Sequence, residues 1–125
     1  MQNDKEKTKK EFKQRLYRYV LRSLNVIEKV ASNQITRVLN DQFIRSSTSI
    51  LANYIEGQAA SSKRDFIKYF EISLKSVNES KVWVALLRDK QYIPKSDADY
   101  LLAELIELGK IFASSIITLK GKRNI

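Results

Sequence analysis

Large apolar residues recur at three- and four-residue steps along nearly the whole chain, a period that predicts amphipathic helices. From about Lys7 to Val30, Phe12, Leu16, Tyr19, Val20, Leu24, Ile27 and Val30 form one stripe, with Lys9, Lys13, Arg15, Arg18 and Arg22 mainly off it. Ser32-Asn33-Gln34 predicts the first break, because short polar side chains compete for backbone hydrogen bonds and favour caps. A second helix is predicted from about Ile35 to Gln58, with Val38, Leu39, Phe43, Ile44, Ser47, Ile50, Leu51, Tyr54 and Ile55 inward and Gly57 as a left-handed terminator. Ser62, with Asp65 three residues on, predicts the cap of a third helix that continues through Phe66, Phe70, Leu74, Val77, Val84 and Leu87 to about Lys90. Tyr92-Ile93-Pro94-Lys95 reads as a loop. Ser96 then caps the last helix, Asp97 and Asp99 suit the positive end of its dipole, and Gly121 closes it.

Each predicted helix is about 20–25 residues, or about 30–37 Å long. Connections of a few residues force sequential helices antiparallel. The expected fold is an all-α, antiparallel, up-and-down four-helix bundle with short loops and a left-handed supercoil. It forms one domain over residues 7–121, with a frayed tail at 1–6 and a basic tail at 122–125. Three glycines and one proline supply too few turns for a multi-stranded alternative.

Two helices carry more apolar surface than a single stripe. Tyr69, Ile72, Trp83 and Leu87 lie round from the main line of helix three, and Leu102, Ile106, Ala113 and Ile117 widen the face of helix four to about half its circumference. Surplus rows of this kind mark interaction surfaces. They predict a homo-oligomer, with Tyr69, Ile72, Trp83, Leu102, Ile106 and Ile117 as interface candidates and the aromatics as anchors.

The chain has no cysteine and no histidine, which excludes disulfides, thiolate or imidazole metal centres and His-dependent triads. The helical glutamates Glu71, Glu79, Glu104 and Glu107 lack the Glu-x-x-His pairs of carboxylate di-iron bundles. The expectation is therefore no enzyme, no cofactor and no metal; carboxylate-only hydrolysis and a magnesium site are the classes the composition leaves open, and nothing points to either. The longest apolar run, Val82 to Leu87, is far short of the roughly 20 residues of a spanning helix, and the charged start does not read as a secretory signal. A cytoplasmic protein of bacterial type, with no membrane partner, is expected.

Charge adds a direction. The net charge is +9, and residues 1–22 hold eight Lys/Arg against three Asp/Glu, so more than half the excess sits in the first helix and its tail. Such a surface attracts polyanions through phosphate contacts and counterion release. The candidate RNA or DNA contacts are Lys9, Lys13, Arg15, Arg18 and Arg22 with Lys63, Arg64 and Lys68. Stacking platforms are not evident, since most Tyr and Phe residues fall at core spacing. The competing expectation is a protein-interaction scaffold whose charge only keeps it dissolved.

The most distinctive segment lies in the second helix, where Arg45, Ser49, Asn53 and Glu56 line one side, roughly opposite the apolar face. Its mid-helix hydroxyls are expected to bond back to their own backbone. Gln42-x-x-Arg45-Ser46-x-Thr48-Ser49-Ile50-x-Ala52-Asn53-x-x-Glu56 is similar to the signature of the four-helix-bundle family encoded in intervening sequences of bacterial 23S ribosomal RNA genes. Ser62-Lys63-x-Asp65-Phe66-Ile67, Lys75 and Glu79 before Val82-Trp83-x-x-Leu86-Leu87, and Glu104-x-x-Glu107-Leu108-x-Lys110-Ile111 carry the same resemblance, which spans roughly residues 12–120. It implies a small cytoplasmic bacterial protein, a homopentamer with a basic surface, no established catalytic activity and a role in binding nucleic acid. It also implies kinship with the accessory protein of diversity-generating retroelements, a pentamer that binds nucleic acid and a reverse transcriptase. The chain departs from the family pattern at Leu51, where a glycine is common, and at Gly57, where many members have alanine.

Overall fold

The computed structural model describes residues 2–123. They form four helices and no strand: α1 (Gln2–Glu28), α2 (Gln34–Gln58), α3 (Lys63–Asp89) and α4 (Lys95–Arg123), each antiparallel to the next. The expected bundle is the observed one. Leu16 of α1, Phe43 and Ile50 of α2, Val77, Val84 and Leu87 of α3 and Leu101, Leu105, Leu108 and Phe112 of α4 are fully buried along its axis. Toward the end where α1 and α3 begin, Phe12, Tyr54, Phe70 and Phe112 pack edge-to-face or tilted, at centroid separations of 5.1–6.3 Å.

The helix boundaries follow local chemistry. Asn33 caps α2 in a reciprocal box: its Oδ1 accepts from Thr36 N at 2.8 Å, and its own N–H donates to Thr36 Oγ1 at 2.8 Å. Ser62 caps α3, accepting from Asp65 N at 3.1 Å. Three other boundaries differ from expectation. Helix α4 starts at Lys95, with the Pro94 carbonyl accepting from Ala98 N, so Ser96 lies inside it and is not the cap. Helix α1 starts at Gln2, inside the expected tail, where lysine and glutamate are good helix formers. Helix α4 runs past Gly121 to Arg123; Asn124 and Ile125 of the expected basic tail lie outside the described residues.

Gly57 does not terminate α2 in a left-handed conformation. It is buried within the helix, and a Cβ there would stand 3.1 Å from Phe70 Cδ1 and 3.3 Å from Tyr69 Cβ. Its function is close approach. The left-handed position falls instead after α3, at Gln91 with φ 62°. There Gln91 N donates to Arg88 O and Tyr92 N to Leu87 O, both at 2.9 Å, a Schellman ending usually built on glycine.

Helices α2 and α3 make the most extensive contact of the bundle, α1 and α4 the least. The α2–α3 contact is lined by small hydroxylated residues. Ser46 and Ser80 share a hydrogen bond of 2.7 Å, Ser76 Oγ donates to Ser49 Oγ at 2.9 Å, and Ser73 Oγ donates to the Ile50 carbonyl at 3.0 Å. Ser46 and Thr48 also bond back within α2, as expected of mid-helix hydroxyls. The bonds across to α3 were not anticipated. Helix α1 joins this network through the buried Tyr19 hydroxyl, 2.9 Å from Ser47 Oγ.

Burial pushes the Tyr19 phenol up to about 12, against an ordinary 10.0, with the hydrogen bond to Ser47 pulling the other way. In the unfolded chain the phenol ionises near its ordinary value, whereas the folded protein keeps it neutral. The contribution of the neutral phenol is therefore complete below pH 10 and is lost as pH rises through about 12. Urea unfolding should show stability falling by about 2–3 kcal/mol across that window, and Tyr19→Phe should remove this part of the slope.

Candidate nucleic-acid interface

Helix α1 buries Leu16, Tyr19, Val20, Ser23, Val26 and Ile27. Its remaining surface divides into a flank against α4, a flank against α2 and an outer face. The expected cationic residues are distributed over all three, with different consequences.

Arg15 and Arg22, seven residues apart, lie on the α4 flank. Arg15 forms a bidentate pair with Glu104, Nε to Oε2 at 2.9 Å and Nη2 to Oε1 at 2.7 Å. The hydrogen bond to Glu104 raises the Arg15 pKa further and keeps the guanidinium charged. Arg22 lies 3.7 Å from Asp97 and 4.1 Å above the centre of the Tyr100 ring. These two arginines connect the most weakly packed helix pair and already have a counter-charge each.

Lys9, Lys13 and Arg18 are exposed and, among the described residues, make no ion pair; the same holds for Lys63 and Lys68 at the start of α3. Arg64 is exposed and 3.8 Å from Asp65. Because the helices alternate in direction, the start of α3 lies at the same end of the bundle as the start of α1. The Tyr54 hydroxyl, near the end of α2, donates to the Lys9 carbonyl at 3.4 Å and marks that level.

On the α2 flank, Lys10, Lys13, Gln14, Tyr17 and Arg18 face Leu51 and Ile55 across an open groove of about 710 Å³. Tyr17, which stands outside the predicted apolar stripe, is 57% exposed. Leu51 is half-buried here on the α1 side and leaves the close α2–α3 approach undisturbed. Tyr17, Lys10 and Gln14 share a line on α1 at seven- and three-residue steps. That line was legible as an off-stripe row, but nothing in the sequence marked Leu51 and Ile55 as its opposite wall.

The polar line of α2 lies at the α2–α3 edge and not opposite the core. Arg45 reaches Gln42 and Glu79, Ser49 meets Ser76, and Asn53 Nδ2 donates to Ser49 O and Oγ at 3.0 Å each. Only Glu56 of that line is an exposed side chain with no ion pair among the described residues. Most of the line is thus engaged in contacts along the α2–α3 edge.

The interface candidates separate in the same way. Trp83 packs partly buried on the core, its indole N–H 3.4 Å from Glu79 Oε2, while Leu102 also packs on the core and Tyr69 and Ile72 are half-buried. Ile106 and Ile117 are 45% and 70% exposed. Val38 and Ile55, expected inside, are exposed, as are Val82 and Leu86. The α3–α4 register, set by Lys120 on Glu71 and Gly109 against Val77, places Val82 and Leu86 level with Ile106 and Leu102. An apolar strip therefore runs along the outside of that pair.

No helix among the described residues is long and apolar enough to cross a membrane. The structure defines a basic, antiparallel four-helix bundle with one cationic helix and an apolar strip on another face. The chain belongs to the 23S rRNA-intervening sequence protein family, whose profile matches residues 6–114. No curated protein sequence matches it. Among solved structures it is similar to a protein of unknown function from the S23 ribosomal protein family of Bacteroides thetaiotaomicron VPI-5482. The two are 32% identical with a TM-score of 0.78, and the match covers 83% of this chain and 96% of the other.

The contrast between stapled and free cations is measurable by thermal unfolding. Arg15→Ala should lower stability by about 1 kcal/mol through loss of the part-buried bidentate pair, whereas Lys13→Ala should stay within about 0.5 kcal/mol of the parent.

Proposed function

We propose that this protein is a non-enzymatic, self-associating cytoplasmic bundle that binds RNA or DNA through the exposed side of α1 and the start of α3. The observation that carries this reading is that Lys9, Lys13 and Arg18, with Lys63 and Lys68 at the same end, are exposed and make no ion pair among the described residues. An exposed ammonium or guanidinium without a counter-charge is free to replace the counterions of a phosphate chain. Membership of a family named for an insertion in ribosomal RNA is in keeping with a nucleic-acid partner.

Binding should fall linearly with the logarithm of salt concentration. Changing Lys9, Lys13 and Arg18 together to glutamine should reduce the magnitude of that slope by about 2–3. Filter binding against RNA and against DNA over a salt series measures both. Failure to bind either at low ionic strength would remove the proposal.

The strip formed by Val82, Leu86 and Ile106, with Ile117 beyond it, favours self-association, and five copies is the number the family resemblance implies. The same strip supports the second reading, a scaffold or an accessory subunit of a reverse transcriptase. Light scattering should give a multiple of the 14.5 kDa chain for the parent protein and a lower mass for Ile106→Glu. A parent protein that is monomeric, with the strip captured by a different protein, would favour the scaffold.

A further inference from the structure

We infer that the groove between α1 and α2 is a single-stranded nucleic-acid site, in which a base stacks on Tyr17 while Lys10, Lys13 and Arg18 hold the neighbouring phosphates. The inference rests on the nucleic-acid reading above and narrows it to one site and one class of ligand.

The Tyr17 ring is the first argument. It is 57% exposed and, among the described residues, is paired with no other ring and lies under no cation. Tyr100, the other strongly exposed tyrosine, has its face covered by Arg22. Tyr17 thus offers the kind of open π-face that a base can use. Around it the groove has mixed chemistry: Leu51 and Ile55 form an apolar wall, Lys10, Lys13 and Arg18 supply positive charge, and the Gln14 amide supplies both a donor and an acceptor.

This combination selects for a strand whose bases are free. A duplex presents phosphates outward and keeps its base faces stacked, so it would engage the cations and leave Tyr17, Leu51 and Ile55 uncovered. An unpaired strand engages both, with the backbone on the charged positions and a base on the ring. The dimensions agree. Lys10 and Arg18 are eight residues apart on one helix, about 12 Å along its axis, which is the length of about three stacked nucleotides. A second copy of this chain is a poorer occupant, because it would bring a further net charge of +9 toward a groove that is already cationic.

The test is fluorescence anisotropy with labelled oligouridine and oligothymidine and with a duplex of the same length, at low salt, on the full chain. The parent protein should bind the single strands about tenfold more tightly than the duplex. Tyr17→Ala should lose about tenfold on the single strands with little change on the duplex, and Tyr17→Trp should retain binding. Because Tyr17 is an exposed side chain, both variants keep the core intact, which far-UV circular dichroism verifies. Suppose Tyr17→Ala binds normally while Lys13→Gln and Arg18→Gln are impaired. Then stacking is wrong and nucleic-acid binding stands. If no oligonucleotide binds, both readings fall. A Tyr17→Ala protein whose light-scattering mass drops while its affinity is unchanged would make the groove a contact between copies and overturn the inference.

Discussion

Serines from α2 and α3 meet inside the bundle, and the hydrogen bonds between them require one separation and one register of the two helices. Ser46 with Ser80, Ser76 with Ser49, and Ser73 with the Ile50 carbonyl fail together if either helix slides, since each would leave a buried hydroxyl unpaired. Apolar side chains tolerate such sliding far better. Gly57 extends the same close approach toward the aromatic end, where Phe70 occupies the space a side chain would need. Tyr19 brings α1 into register through Ser47. The placement of the cationic helix therefore descends from a line of small polar groups in the interior.

Much of this architecture was legible from periodicity. The four helices, the caps at Asn33 and Ser62 and most core positions follow from local chemistry that a linear sequence displays. What was not legible depends on partners distant along the chain. Arg15 and Lys13 look alike as residues off the apolar stripe, but only Arg15 finds a carboxylate, 89 positions away. Ser73, Ser76 and Ser80 read as incidental polar residues until α2 is placed beside them. Gly57 was misread because a glycine near a helix end has two uses, and only its packing against Phe70 and Tyr69 distinguishes close approach from termination. Tyr17 stands outside the apolar stripe, one residue beyond Leu16, which turns it outward, but only the placement of α2 shows that it borders a groove.

In a square of antiparallel helices, the α1–α2 and α3–α4 faces lie on opposite sides. The cationic groove occupies the first and the apolar strip the second, so neither surface has to be sacrificed to use the other. Residues of different chemistry are thus separated by topology alone. The alternation of helix direction has a further effect: it gathers Lys9 and Lys13 with Lys63 and Lys68 at one end of the molecule, although about fifty positions separate the two groups.

The attachment of α1 to α4 gives ionic strength a second point of action. This pair has the least packing in the bundle and is bridged by Arg15 on Glu104 and Arg22 on Asp97, contacts that remain partly open to solvent. Mobile ions screen such bridges as they screen a polyanion on the outer face. Electrolyte thus loosens the platform itself, and if the proposed polyanion binds there, an affinity measured in concentrated salt will report on the seating of the first helix as well as on its lysines.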